Sequence, residues 1–118
     1  MKHLVISMLM ASSVQAAPIL SCFNSSPTGG VGFSYENCVN RNFREIRWKL
    51  RLNLNNCVNY STRVDPSYTY CIERNFDFVD RALSNIYLRR CSNLGPNLSY
   101  FFQSCVNDNF REIERIIR

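Results

Sequence analysis

The stretch CVNRNF, residues 38–43, is written again as CIERNF at 71–76 and as CVNDNF at 105–110. Working outward from each copy, an aromatic residue lies three positions before the cysteine (Tyr35, Tyr68, Phe102) and an aliphatic one eight after it (Ile46, Val79, Ile113). Upstream, the pentads LSCFN, NNCVN and RRCSN set Cys22, Cys57 and Cys91 two positions ahead of Asn24, Asn59 and Asn93. The unit is about 34 residues long and occurs nearly three times, the mark of a chain assembled from one kind of block.

After its second cysteine each unit has helical spacing. Val39, Phe43, Ile46, Leu50 and Leu54 step by threes and fours, as do Ile72, Phe76, Val79, Leu83 and Ile86, and then Val106, Phe110, Ile113 and Ile117. Pro66 with Ser67 and Pro96 with Asn97 are start signals, while SSPTGG at 25–30 breaks the chain before the first helix. These patterns predict helices over 34–56, 67–90 and 97–117. The fold class is all-α, a three-helix bundle stapled by disulfides, with short connections that favour an up-down-up order. The stretch IRWKLRLNLN, 46–55, also alternates apolar and polar residues like a half-buried strand. Its counterpart DRALSNIYLR does not alternate, and the helical reading is kept for both.

The opening residues, MKHLVISMLMASSVQAAP, combine a basic start, a short apolar run and small residues, as in an export signal. The expected leader is 1–16, cut between Ala16 and Ala17, leaving a single disulfide-rich helical domain over 17–118 that is secreted or periplasmic. No segment approaches the roughly 20 continuous apolar residues of a membrane span. In an oxidising compartment Cys22, Cys38, Cys57, Cys71, Cys91 and Cys105 are expected to form three disulfides.

Pairing follows from distance. Cys38 and Cys57, placed at opposite ends of one predicted helix, would lie about 28 Å apart, whereas bonded cysteines need Cα atoms within about 7 Å. The same holds for Cys71 and Cys91. In an up-down-up bundle Cys57 and Cys71 share one end and Cys22, Cys38, Cys91 and Cys105 the other, so Cys57–Cys71 is nearly forced and the repeat makes Cys22–Cys38 and Cys91–Cys105 the remainder, each closing a loop worth about 3 kcal/mol.

The only histidine, His3, leaves with the leader, and no CxxC pair occurs, so neither a metal site nor a cofactor is expected. Without histidine there is no Ser-His or Cys-His nucleophile. Asp77 with Asp80 and Glu112 with Glu114 sit among arginines in helical patterns and read as solvated faces rather than as catalytic carboxylate pairs. The chain is therefore read as not an enzyme.

Asn42, Asn75 and Asn109 stand mid-helix, where asparagine is a poor choice. The expectation is structural amides that satisfy neighbouring backbone groups; the alternative is a row of amides that binds sugars. Acceptor sequons for N-glycosylation occur at Asn24, Asn59 and Asn97.

The units differ most on the outer face of the first helix, where Arg41, Arg44, Trp48, Arg51 and Leu52 lie opposite the core stripe around the sole tryptophan. Loss of Lys2 from a formal net charge of +5 leaves +4, carried by twelve arginines and one lysine. Guanidinium forks suit carboxylates, sulfates and phosphates, and tryptophan with arginine is enriched in binding hot spots. The leading reading is a module that binds an acidic extracellular protein or glycan through this face. A membrane-active defence or toxin-like protein using the same face on an anionic surface is the alternative, and a structural protein with no defined site is the third. Nucleic acid is not an expected partner. A covered Trp48, screened by residues 18–33, would leave no binding face.

Overall fold

The computed structural model describes residues 18–118. The expected leader, 1–16, with Lys2 and His3, lies outside the described residues. Three helices follow one another: α1 (Phe33–Leu50), α2 (Pro66–Ala82) and α3 (Tyr100–Ile117). Among the described residues there is no strand.

Each helix begins at a marked residue. Pro66 occupies the first turn of α2 behind Asp65, where its missing N–H costs nothing. The Ser99 hydroxyl caps α3 by accepting from the Phe102 N–H at 3.1 Å. Asp65 is itself held: the Ser61 hydroxyl and the Tyr60 N–H bind its carboxyl and keep it below the usual carboxylate range.

The first two helices end well before the expected 56 and 90. α1 stops at Leu50 because Arg51 turns left-handed (φ 55°) and the Leu52 N–H closes onto the Arg47 carbonyl at 3.3 Å. The chain then runs back extended. The strand-like alternation of 46–55 was thus half informative: its first half is helix, and its second half is an extended strap in which Leu54 is buried from outside the helix. Leu54 fits both a helical step of four from Leu50 and a strand step of two from Leu52, and periodicity alone does not separate the two.

The disulfides are Cys22–Cys38, Cys57–Cys71 and Cys91–Cys105, with Cα separations of 5.7, 5.6 and 5.5 Å. Each joins a non-helical strap (18–24, 52–58, 86–92) to the first half of the helix that follows it.

The up-down-up order is overturned. The loops that lead into the helices rest on one another: the Val64 N–H donates to the Pro96 carbonyl at 2.9 Å and the Leu98 N–H to the Gly29 carbonyl at 2.8 Å. Gly30 packs so closely on loop 59–65 that a Cβ there would stand 2.2 Å from the Thr62 carbonyl oxygen. All three helices therefore start at one end. Phe43, Phe76 and Phe110, each the eleventh residue of its helix, meet edge to face with ring centroids 5.0 to 5.2 Å apart. Common starts and equal depth mean that the helices point the same way, with each strap carrying the chain back. The expectation failed because the connections, 51–65 and 83–99, are not short loops but straps with loops.

Layers of corresponding residues fill the interior: Tyr35, Tyr68 and Phe102, then Val39, Ile72 and Val106, then the phenylalanine trio, then Ile46, Val79 and Ile113. The Tyr35 and Tyr68 hydroxyls are buried with no partner among the described residues. Desolvation pushes both phenols well above the ordinary tyrosine value, with the neighbouring Tyr35 and Glu36 adding to the effect at Tyr68.

Candidate functional site

Asn42, Asn75 and Asn109 form one repeated joint. Each accepts at Oδ1 from a strap N–H (Leu20, Asn55, Arg89; 2.9 Å in every case) and donates from Nδ2 to the same residue's carbonyl at 2.7 to 2.8 Å. The gripped residue always lies two before the strap cysteine. These amides are buried and spent on backbone, so they present nothing to a sugar.

A second asparagine set, whose recurrence is plain in the sequence but whose task is not, closes the loops. Asn24, Asn59 and Asn93 accept from the N–H of Gly32, Asp65 and Ser99, the residue just ahead of each helix, at 2.7 to 2.8 Å. Their Nδ2 groups donate across the loop, Asn59 to both Ser61 and Arg63 carbonyls. The spacing of six to eight residues from Cys-x-Asn to the helix start is the signal that could have found them.

With these amides occupied inside the molecule, the outer face of α1 is the next candidate. Arg41, Arg44 and Trp48 are exposed along one stripe of the helix, and Trp48 is 79 % exposed. Residues 18–24 do not cover it. They run instead between α1 and α3, where Leu20 meets Asn42, Cys22 meets Asn107 and Ile19 meets Glu114. The structure does not bring all five expected residues together: Arg51 is exposed at the left-handed helix end, past the last regular turn, and Leu52 is half-buried against the core.

The electrostatics of this face are distinctive. Five ion pairs form among the described residues, and none involves α1. On α3, by contrast, Arg111 pairs with Asp108, Arg115 with Glu112 and Arg118 with Glu114. The cations Arg41, Arg44, Arg47 and Lys49 of α1, with Arg51 at its end, thus outnumber the one carboxylate near Trp48, Glu45, and none of them is in an ion pair among the described residues. Such an array attracts an anion and offers a flat apolar ring at its centre.

The described residues contain no group of three or more His, Cys, Asp or Glu placed to hold a metal ion, and no helix long and apolar enough to cross a membrane. What the chain defines is a disulfide-stapled, all-helical domain. Comparison with protein-family models, with curated proteins and with solved structures finds no match.

Proposed function

We propose that the chain is an exported, non-enzymatic interaction module, built from three copies of one strap-and-helix unit, that binds an acidic protein or glycan through Arg41, Arg44, Trp48 and Arg51. The observation that carries this reading is the exposed Trp48 set among α1 cations that make no ion pair among the described residues, on a scaffold whose mid-helix asparagines are used internally. Three disulfides suit an oxidising compartment. The test is titration of the oxidised domain with sulfated oligosaccharide and with poly-glutamate while Trp48 fluorescence is followed. Saturable quenching or a blue shift that is lost in Arg44→Glu supports the reading, and a silent tryptophan with both probes rejects it.

A second reading, action on anionic membranes, is favoured by a separate observation. Phe33, Tyr60, Leu94, Tyr100 and Phe101 are all exposed near the end where the helices begin. Leakage of anionic vesicles that depends on Phe101 and not on Arg44 would select it over the first.

A further inference from the structure

Each strap is gripped not only by the helix that follows it but by a second helix, α3 for the first strap, α1 for the second and α2 for the third, and one of these three junctions is incomplete. α1 holds the second strap through Asn40, which donates to the Cys57 carbonyl and accepts from its N–H, both at 2.8 Å, and through Glu36, which accepts from the Asn59 N–H at 3.3 Å. α3 holds the first strap alike, with Asn107 on the Cys22 carbonyl and N–H (2.9 and 2.8 Å) and Gln103 on the Asn24 N–H (2.8 Å). At these two positions α2 carries Glu73 and Thr69.

Glu73 accepts from the Cys91 N–H at 2.7 Å, but a carboxylate has no N–H to return to the Cys91 carbonyl. Thr69 is too short to reach the third strap, and its hydroxyl donates to the Pro66 carbonyl at 3.1 Å. Among the described residues the Cys91 carbonyl therefore accepts no hydrogen bond and the Asn93 N–H donates none. The Cys91 carbonyl thus lacks the side-chain donor that its counterparts at Cys22 and Cys57 have.

In an extended chain the carbonyl of one residue and the N–H two residues on share an edge, and one residue of a parallel neighbouring strand satisfies both. That edge of the third strap faces a groove of about 830 Å³ against α2, lined by Thr69, Tyr70, Glu73, Leu88 and Leu94 among others. The groove follows α2 from Pro66 to Arg81, which at 1.5 Å per residue is about 22 Å, room for roughly seven extended residues. Among its wall charges Arg81 pairs with Asp77 and Arg89 with Asp108, Arg74 lies over the Phe78 ring, and Asp80 and Arg90 make no ion pair among the described residues. Beside them stand the unpaired Cys91 carbonyl and Asn93 N–H.

We propose that this groove binds an extended segment of a partner polypeptide, one residue of which donates to the Cys91 carbonyl and accepts from the Asn93 N–H. Tyr70, Leu88 and Leu94 receive apolar side chains at alternate positions of the segment. The site stands apart from the α1 face and does not rest on its role.

The test compares the oxidised wild-type domain with Thr69→Gln/Glu73→Asn, which copies the α3 junction onto α2, and with the gentler Glu73→Gln. In the free wild type, the Asn93 amide is expected to exchange with solvent faster than the Asn24 and Asn59 amides. Heptapeptides enriched from a random phage-displayed library should slow Asn93 exchange when added as synthetic peptides. They should bind the double variant about tenfold more weakly and Glu73→Gln about threefold more weakly, while Arg44→Glu leaves their binding unchanged. An Asn93 amide already as protected as the other two, a library that yields no binder, or binders indifferent to the junction variants would each overturn the proposal.

Discussion

α1 and α3 are both 18 residues long, both place a phenylalanine in the central trio and both grip a strap through a mid-helix asparagine, yet where α3 carries Asp108 α1 carries Arg41. Aligned on their cysteines, Arg44 matches Arg111, Arg47 matches Glu114 and Trp48 matches Arg115. Inside, the two helices bury the same residue types at Val39 and Val106, Phe43 and Phe110, and Ile46 and Ile113, and differ at Tyr35 and Phe102. Outside, α3 neutralises its cations through three ion pairs and lends Glu114 to the Ile19 N–H, whereas α1 leaves its cations open around a bare tryptophan. The contrast separates what every unit needs in order to fold from what a single unit displays.

The largest effect that would sharpen this contrast is in the trio. Phe43→Ala and Phe110→Ala should each destabilise by about 3–5 kcal/mol, measured by urea unfolding of the oxidised domain. A difference above about 2 kcal/mol between them would break the claim of equivalent interiors. Next come the strap joints. Asn42→Ala and Asn109→Ala each leave a strap N–H and carbonyl unpaired and should cost about 2–3 kcal/mol, again alike.

A third comparison uses the layer in which α1 and α2 have tyrosine and α3 has Phe102. The buried phenols keep their protons in the folded state above the pH at which unfolded tyrosines ionise, about 10. The unfolded chain then binds fewer protons, so stability is full below about pH 10 and falls above it by about 1.4 kcal/mol per pH unit for each phenol. Tyr35→Phe/Tyr68→Phe should flatten that alkaline slope. It should also leave stability at pH 7 unchanged or slightly higher, because two unpartnered hydroxyls are removed. An unchanged slope in circular-dichroism melts would show that the phenols are not desolvated. The smallest effects belong to the surface. Trp48→Ala and Asp108→Ala should each shift stability by less than about 1 kcal/mol, the latter only at low salt. Trp48→Ala should nonetheless abolish binding of the acidic probes.

Much of the interior was readable before the structure. The three helices and the residues of the apolar stripes follow from spacing; the cysteine pairs came out as expected, although the up-down-up ends from which they were argued did not. Helix direction was not readable. A stripe such as Val39, Phe43 and Ile46 says which side of a helix is buried and nothing about which way its neighbour runs. The straps were absorbed into the helices because Leu50 and Leu54, or Leu83 and Ile86, keep helical intervals while the backbone has already turned extended. For the site, the arginines and Trp48 were legible as a pattern. Whether Trp48 was covered depended on where residues 18–24 travel, and that is decided by Asn107 and Glu114, far away in sequence. The gap at Glu73 and Thr69 emerges only when three joints are laid side by side.

The grip of α3 on the first strap has a bearing on how the molecule comes into being. The partners of Cys22 and Ile19 lie 85 and 95 residues further along the chain. A chain made from its N terminus completes the α1–strap and α2–strap joints in order of synthesis, but its first segment waits for the last helix to be born. Closing so long an intervening stretch is the slow, entropically demanding step. A chain stopped short of Gln103 leaves the N–H groups of Ile19, Cys22 and Asn24 without their α3 partners, so the last helix acts as the latch for the first strap.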